Sequence, residues 1–255
     1  MNSSIHQTKD GSSTVYSESF NQYYHNPNGA ASESLHVFFE QPGVFSFLKE
    51  APTLTILEVG FGTGLNFLLL LDYLKEHDLQ VPVRFFSIEA FPVDAETAKE
   101  FDFTGHLKKP HLNTILPDIF RDLQPGMNSF KPVDELDVEL IVFQGKFEDF
   151  SSEDVEADFI FHDPFSPGVN GELWTDEAFK KLASFSQKDT MLTTYCAASG
   201  ARAAMAVAGW KVARARGALG KREMTLASRN AEKLEGFKRV NEERLIHRYK
   251  EGDFS

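Results

Sequence analysis

An α/β fold, with a mostly parallel sheet, helices on both faces and a closing antiparallel pair, is what this 255-residue sequence predicts. Three observations carry the prediction. An apolar run, Leu54 to Leu57, ends in Glu58 and the alternating glycines Gly60, Gly62 and Gly64, and a helical pattern (Phe67, Leu68, Leu71, Leu74) follows at once. A second apolar run, from Val83 to Ile88, also ends in an acid, Glu89, which falls 25 residues beyond Gly64 and so within one βαβ span. Further runs of strand length then alternate with helical patterns along the rest of the chain.

Each element has its own local reason. Met1 to Ser13 is polar, reads as loosely attached, and lacks the apolar stretch of a signal peptide. Ser13–Tyr16 and Phe20–Tyr24 are rich in β-formers and predict a small strand pair, and His25-Asn26-Pro27-Asn28-Gly29 is a turn by composition. Ser32 to Phe39 predicts a helix with Leu35, Phe38 and Phe39 on one face. Residues 1–50 thus form an N-terminal extension packing on a main domain of residues 51–255, and Tyr23, Tyr24 and His25 are placed to line a pocket. After the second strand, Pro92 and Asp94 start a helix through Lys99. Residues 101–137, punctuated by Pro110, Pro117, Pro125 and Pro132, read as an elaboration over the sheet with one short helix near Asp118–Leu123. Strands follow at Val138–Phe143, Ala157–His162 and Met191–Cys196, with helices at 172–184 and Ser199–Ala208. Trp210–Arg216 and Arg222–Ser228 make the closing antiparallel pair.

The spacing of the glycines decides the ligand class. The dinucleotide fingerprint G-x-G-x-x-G would need glycine at Leu65, whereas this loop reads E-x-G-x-G-x-G. Such a loop suits S-adenosylmethionine, a cofactor with a cationic amino-acid end and no pyrophosphate. Glu58, Gly60, Gly62, Gly64 and Asn66 are then candidates to hold it, and Glu89 the acid that reaches its ribose hydroxyls. After the next strand, an acid commonly follows the glycine to contact adenine; here Lys146 follows Gly145, and the adenine contact is left unassigned.

A second motif, Asp163-Pro164-Phe165, sits where a strand's carboxyl end meets the crevice. An amine nucleophile must turn its lone pair to a sulfonium methyl, so its N–H groups need acceptors. A carboxylate such as Asp163, which is also a cofactor contact, holds them and stabilises the positive charge developing on nitrogen. It can also take a proton from an amine that arrives charged. Phe165 beside it is suited to stacking on a base or sitting over a cation. In-line methyl transfer relies on alignment and needs no metal. The sequence shows neither zinc-type spacing nor a Ser/His/Asp triad.

Composition narrows the partners. The net charge of −12 opposes a nucleic-acid partner, but residues 197–255 carry 13 Lys and Arg against 7 Asp and Glu, while residues 1–196 carry 13 against 31. One cysteine, Cys196, excludes an internal disulfide, and no apolar run has the length to span a bilayer. A cytoplasmic protein without membrane or metal partners is expected.

Taken together, these blocks resemble the MnmC-like transfer-RNA methyltransferases. The likeness includes Thr8-Lys9-Asp10-Gly11-Ser12, Glu33-Ser34-Leu35-His36-Val37-Phe38, Glu58 to Phe67, Ser87 to Pro92, Asp163 to Pro167, Asn170, Glu172-Leu173-Trp174, Thr193-Thr194-Tyr195 and Gly220-Lys221-Arg222-Glu223-Met224. The resemblance implies a Rossmann-like class I S-adenosylmethionine-dependent methyltransferase. The implied reaction is N-methylation of the 5-aminomethyl group of (2-thio)uridine at the wobble position, in the anticodon region of tRNA. It further implies that Glu58 to Gly64 and Glu89 hold the cofactor and that Asp163 lies by the transferred methyl. Larger members carry a flavin-dependent oxidase domain after this one; the chain ends at Ser255, so methylation alone is expected. Lys221, Arg222, Arg202 and Arg216, with Arg214 and Arg229, become candidates for the tRNA phosphate surface. Pro164 and Lys146 depart from common family residues. Methylation of another exocyclic amine or amide (DNA adenine, protein glutamine), an aminopropyl transfer, and a non-catalytic binding module remain as alternatives.

Overall fold

In the computed structural model, which describes residues 3–254, the chain opens with a small antiparallel sheet of β1 (Ser3–Gln7), β2 (Ser13–Ser17) and β3 (Gln22–Tyr23). The segment expected to be loosely attached therefore supplies a strand, β1, zipped to β2 from Ser3↔Ser17 to Gln7↔Ser13. Asp10 explains why it is held. Its carboxylate accepts from Thr8, Ser12 and Ser32 hydroxyls and from the Ser12 and Ser32 amides. Burial acts to raise its pKa, but the bonds from Ser12, Thr8 and Ser32 outweigh it and hold the carboxyl well below the usual range.

Helix α1 (Ala30–Ser34) runs on as a π-helical turn, Leu35–Glu40, so the helix expected at 32–39 is present but wider in its second half. Helix α2 (Val44–Leu48) then leads into the main sheet. Its strands are β4 (Leu54–Val59), β5 (Val83–Glu89), β6 (Gly126–Phe130), β7 (Val138–Gln144), β8 (Ala157–His162), β9 (Ser186–Thr194), β10 (Lys211–Arg216), β11 (Glu223–Ser228) and β12 (Lys238–Arg239). Their order across the sheet is β12-β10-β11-β9-β8-β4-β5-β7-β6. Strands β9, β8, β4, β5 and β7 are parallel to one another, and β11 is antiparallel to both β9 and β10. The chain order reverses at β4, which has β5 on one side and β8 on the other. Such a switch point opens a crevice at the carboxyl ends of the strands.

The central strand is buried on both faces, and its alternation shows how the layers form. Leu54 and Ile56 pack into one core, with α3 (Leu65–Glu76), while Leu57 and Val59 pack into the other. That second core is completed by Phe179 and Leu182 of α6 (Asp176–Ser184) and by Ala204 and Met205 of α7 (Ser199–Val207). The remaining helices are α4 (Ala95–Lys99), capped by Asp94 accepting from the Thr97 amide, α5 (Ile115–Asp122) and α8 (Glu242–Lys250), capped by Asn241.

Residues 101–137 do more than lie over the sheet. Strand β6 adds to its edge, antiparallel to β7 from Gly126↔Gln144 to Phe130↔Leu140. Buried Asp72 of α3 anchors the segment by accepting from the amides of Lys108 and Lys109 at 3.0 and 2.7 Å. Among the described residues, no helix is long and apolar enough to cross a membrane.

Candidate active site

Three backbone bonds stitch together the strand ends that form the site. Gly60 donates to Ile88 O, Asp163 donates to Val59 O, and Gly145 donates to Glu89 O, at 2.9, 2.9 and 3.0 Å. They bring the glycine loop after β4, the acid ending β5, the turn after β7 and Asp163 after β8 around one cavity of about 540 Å³. That volume is in the range of ligand pockets, about 300–1,000 Å³.

The glycine loop is shaped by left-handed backbone and close approach. Gly60, Gly62 and Gly64 have φ of +96°, +58° and +76°. A Cβ on Gly60 would sit 2.7 Å from Asp163 O, so only glycine lets the two halves of the crevice meet. Gly64 serves packing: a Cβ there would strike Leu116 at 2.8 Å, and the residue is absent from the cavity wall.

Glu89 is held with both oxygens fixed. Oε2 accepts from the Gly62 amide at 2.9 Å and Oε1 from the Phe91 amide at 2.8 Å. Burial raises its pKa, and the backbone bonds from Gly62, Phe91, Ala90 and Phe61 act against that rise.

Glu58 lies deeper than the sequence suggested. It is 1% exposed and lies off the cavity wall, its carboxyl bonded to Asn66 Nδ2 at 2.9 Å and Ser87 Oγ at 2.6 Å. Burial pushes it up to about 8, with Ser87 and Asn66 acting against the rise. Glu58 thus stands behind Asn66, which does line the cavity. Asn66 Nδ2 also reaches Asp163 Oδ2 at 3.5 Å, while its buried Oδ1 has no hydrogen-bond partner among the described residues. An orphaned acceptor beside a bare glycine backbone fits the ammonium end of an amino-acid-bearing cofactor.

Asp163 belongs to two cavities. A second one, of about 320 Å³, shares Tyr24, His25, Asp163, Pro164 and Phe165 with the first and adds Gln22, Glu33, Tyr195 and Lys221. Desolvation, then the charges of Glu58 and Glu33, hold the Asp163 carboxyl well above its ordinary value. The turn that carries it is braced from behind. Tyr195 Oη donates to Pro164 O at 2.8 Å and Trp174 Nε1 to Phe165 O at 2.9 Å, which accounts for the Trp174 and Tyr195 blocks of the sequence. Phe165 packs against Phe20 and Tyr24 with ring centroids 4.8 and 5.1 Å apart. Phe20 was not singled out in the sequence, and nothing in its local pattern distinguishes it from a packing aromatic. His25, whose imidazole desolvation pulls down to about 4, bonds Thr63 of the glycine loop at 2.7 Å.

Lys146 lines the first cavity and pairs with Glu148, another lining residue, at 3.2 Å.

The basic residues part company. Arg202 is 3% exposed and spent internally on Glu223, Thr225 Oγ1 and Met224 O, so it is a structural cation closed to phosphate. Arg214 also pairs with Glu223, at 3.3 Å. Lys221 pairs with Glu33 at 2.7 Å and leans over the Tyr195 ring, facing the second cavity. Arg216, Arg222 and Arg229 are exposed.

Comparison with known proteins follows this geometry. Residues 113–230 match the model of an S-adenosyl-L-methionine-dependent methyltransferase family. The chain is 32% identical over 226 residues to the tRNA 5-methylaminomethyl-2-thiouridine biosynthesis bifunctional protein MnmC of Leptospira interrogans. The match takes in 84% of the chain and 34% of that relative. It is 31% identical over 215 residues to the Delftia acidovorans protein of the same name, across 82% of the chain and 32% of the relative. The chain thus spans about a third of the length of these curated relatives. A crystal structure of MNMC2 from Aquifex aeolicus superposes with a TM-score of 0.74 at 25% identity, covering 97% of this chain and 75% of that one. The chain therefore has the Rossmann-like class I fold, and the family matched by residues 113–230 is one that depends on S-adenosyl-L-methionine.

Proposed function

We propose that the chain methylates the amine of 5-aminomethyl-(2-thio)uridine at the wobble position of tRNA, working in the cytoplasm, and yields 5-methylaminomethyl-2-thiouridine. The names of the MnmC relatives support the substrate. The observation that carries the reaction type is the position of Asp163, a partly desolvated carboxylate on the wall shared by the two cavities. A group placed there reaches a cofactor on one side and an acceptor on the other.

Gly60, Gly62, Asn66 and Glu89 would hold the cofactor. When bound, it supplies an electrophilic methyl group carried on sulfonium. Glu89, fixed by two amides, presents acceptor lone pairs to ribose hydroxyls. Asn66, on the cavity wall, would face the ammonium end. Lys146, Phe147 and Glu148 line the same cavity beyond Gly145 and would hold the adenine end. Asp163 accepts an N–H of the acceptor amine and so aims its lone pair. The carboxylate also offsets the charge that builds on nitrogen. Two carbonyls of the turn, those of Pro164 and Phe165, already serve Tyr195 and Trp174, so the aiming falls mainly to the Asp163 side chain.

The test is direct. The protein is incubated with methyl-labelled S-adenosylmethionine and bulk tRNA from cells lacking the final methylation, and the RNA is digested to nucleosides. Label in 5-methylaminomethyl-2-thiouridine is expected; label in DNA or protein instead overturns the assignment. Asp163→Ala is expected to abolish transfer and keep cofactor binding.

A further inference from the structure

The second cavity contains a carboxylate that the sequence-based site does not use. Glu33 of α1 faces it together with Asp163, Tyr195, His25 and Lys221. Its side chain is 13% exposed, and Oε1 takes two bonds, from Lys221 Nζ at 2.7 Å and from Asn26 Nδ2 at 3.1 Å. Oε2 has no hydrogen-bond partner among the described residues. The turn after β3 and the loop between β10 and β11, the latter distant in sequence, therefore fix this carboxylate of α1 at the cavity wall. His36, one turn further on, ties that same loop down by bonding Arg216 O at 2.7 Å.

We propose that this cavity is the acceptor pocket and that Glu33 receives the ammonium of the incoming substrate, a primary amine on a flat heterocycle, and takes its proton. The inference rests on the aminomethyl-uridine reading given above. The pocket has the chemistry such a substrate needs: the carboxylates of Asp163 and Glu33 line one cleft with Tyr24, Phe165 and Tyr195, in a volume of about 320 Å³ that has room for a ring. Lys221 acts as a stand-in cation. Its side chain is 43% exposed, and an ion pair so open to water contributes little, so exchange for a buried substrate ammonium is easy. The two acids then divide the work. Glu33 accepts a proton from the ammonium and leaves a neutral amine. That amine donates an N–H to Asp163 and its lone pair forms the new N–C bond as the C–S bond breaks. The sulfonium becomes a neutral thioether, the product leaves as a secondary ammonium, and Glu33 passes its proton to water.

Binding separates this role from a structural one. Anticodon stem-loops with 5-aminomethyl-2-thiouridine or plain 2-thiouridine at the wobble position are titrated into the protein saturated with S-adenosylhomocysteine. The wild type is expected to favour the aminomethyl loop by about tenfold or more, and to lose that preference as rising pH neutralises the free amine. Glu33→Gln is expected to lose it at neutral pH with S-adenosylhomocysteine affinity unchanged, and Glu33→Asp to keep part of it. Retained preference in Glu33→Gln, or equal loss for both loops or for S-adenosylhomocysteine, overturns the role of Glu33. The underlying reading is checked by wild-type transfer from labelled S-adenosylmethionine to the aminomethyl loop. If that fails, both conclusions fall; if it succeeds while Glu33→Gln is indifferent, only the Glu33 assignment falls.

Discussion

The Gly62 amide donates to Oε2 of Glu89 at 2.9 Å, tying the tip of the glycine loop to the end of the neighbouring strand. The loop and the acid at the end of β5 are thus held as one unit, and removing the acid releases the loop. Glu89→Ala is expected to weaken S-adenosylmethionine binding by about tenfold to a hundredfold, the scale of lost bonds to a charged group. Titration calorimetry checks it; a change below about twofold would show that Glu89 faces no ligand.

Gly60 offers a test of close approach against backbone strain. Gly11 and Gly60 share nearly the same φ, +91° and +96°, yet a Cβ on Gly11 meets nothing within 4 Å while one on Gly60 meets Asp163 O at 2.7 Å. Gly11→Ala should lose about 1 kcal/mol, the backbone term alone. Gly60→Ala should lose more, about 2–4 kcal/mol, because Asp163 must shift as well. Equal losses in urea unfolding would mean that the contact with Asp163 yields without cost.

Glu58 predicts a pH dependence of stability. Its folded pKa of about 8 lies above the ordinary 4.5, so between those values the folded protein keeps a proton that the unfolded chain has released. Stability therefore falls as pH rises from about 4.5 to about 8, by a few kcal/mol at about 1.4 kcal/mol per unit. Glu58→Gln, which preserves the bonds to Asn66 and Ser87 in outline, should flatten that decline. Unfolding free energies at the two ends of the window decide it: an unchanged slope in the variant assigns the effect elsewhere.

The basic residues should sort by burial. Arg202→Met removes the buried guanidinium from Glu223, Thr225 Oγ1 and Met224 O, leaving Glu223 only its half-exposed partner Arg214, and should lose about 3 kcal/mol of stability. Arg216→Glu with Arg222→Glu should leave stability and cofactor affinity in place, weaken tRNA binding and flatten its salt dependence. Salt-dependent tRNA binding that is unaltered in the double variant would move the phosphate surface off the β10–β11 loop.

Periodicity and punctuation made the sheet legible: β4, β5, β7, β8 and the β10–β11 pair follow from apolar runs ending in acids or glycines. The misses have physical causes. β1 is polar on its surface and is held by the Asp10 network, which only three-dimensional proximity to Ser32 completes. β6, Gly-Met-Asn-Ser-Phe, has no strand pattern of its own and exists because β7 offers it an edge. Asp163 and Glu89 line the cavity where motif and topology agree in putting them. Glu58 lies behind the cavity wall, because spacing along a strand does not reveal which layer a side chain enters. Arg202 looked like a surface cation because charge counting is blind to burial. Glu33 was visible only as part of a family-like block, since its partner Lys221 lies 188 residues away.

The small N-terminal sheet has a thermodynamic consequence. Phe20, Tyr24 and His25 reach the cofactor cavity from a segment outside the main sheet, docked through Asp10, the His25–Thr63 bond and the Ser166–Gln22 bond at 3.1 Å. A ligand that touches these side chains binds the docked arrangement, so by linkage its measured affinity includes the docking equilibrium of that segment. Substitutions at Asp10, which lines neither cavity, will then register as changes in cofactor affinity. Saturating cofactor will in turn slow hydrogen exchange in β1 and β2.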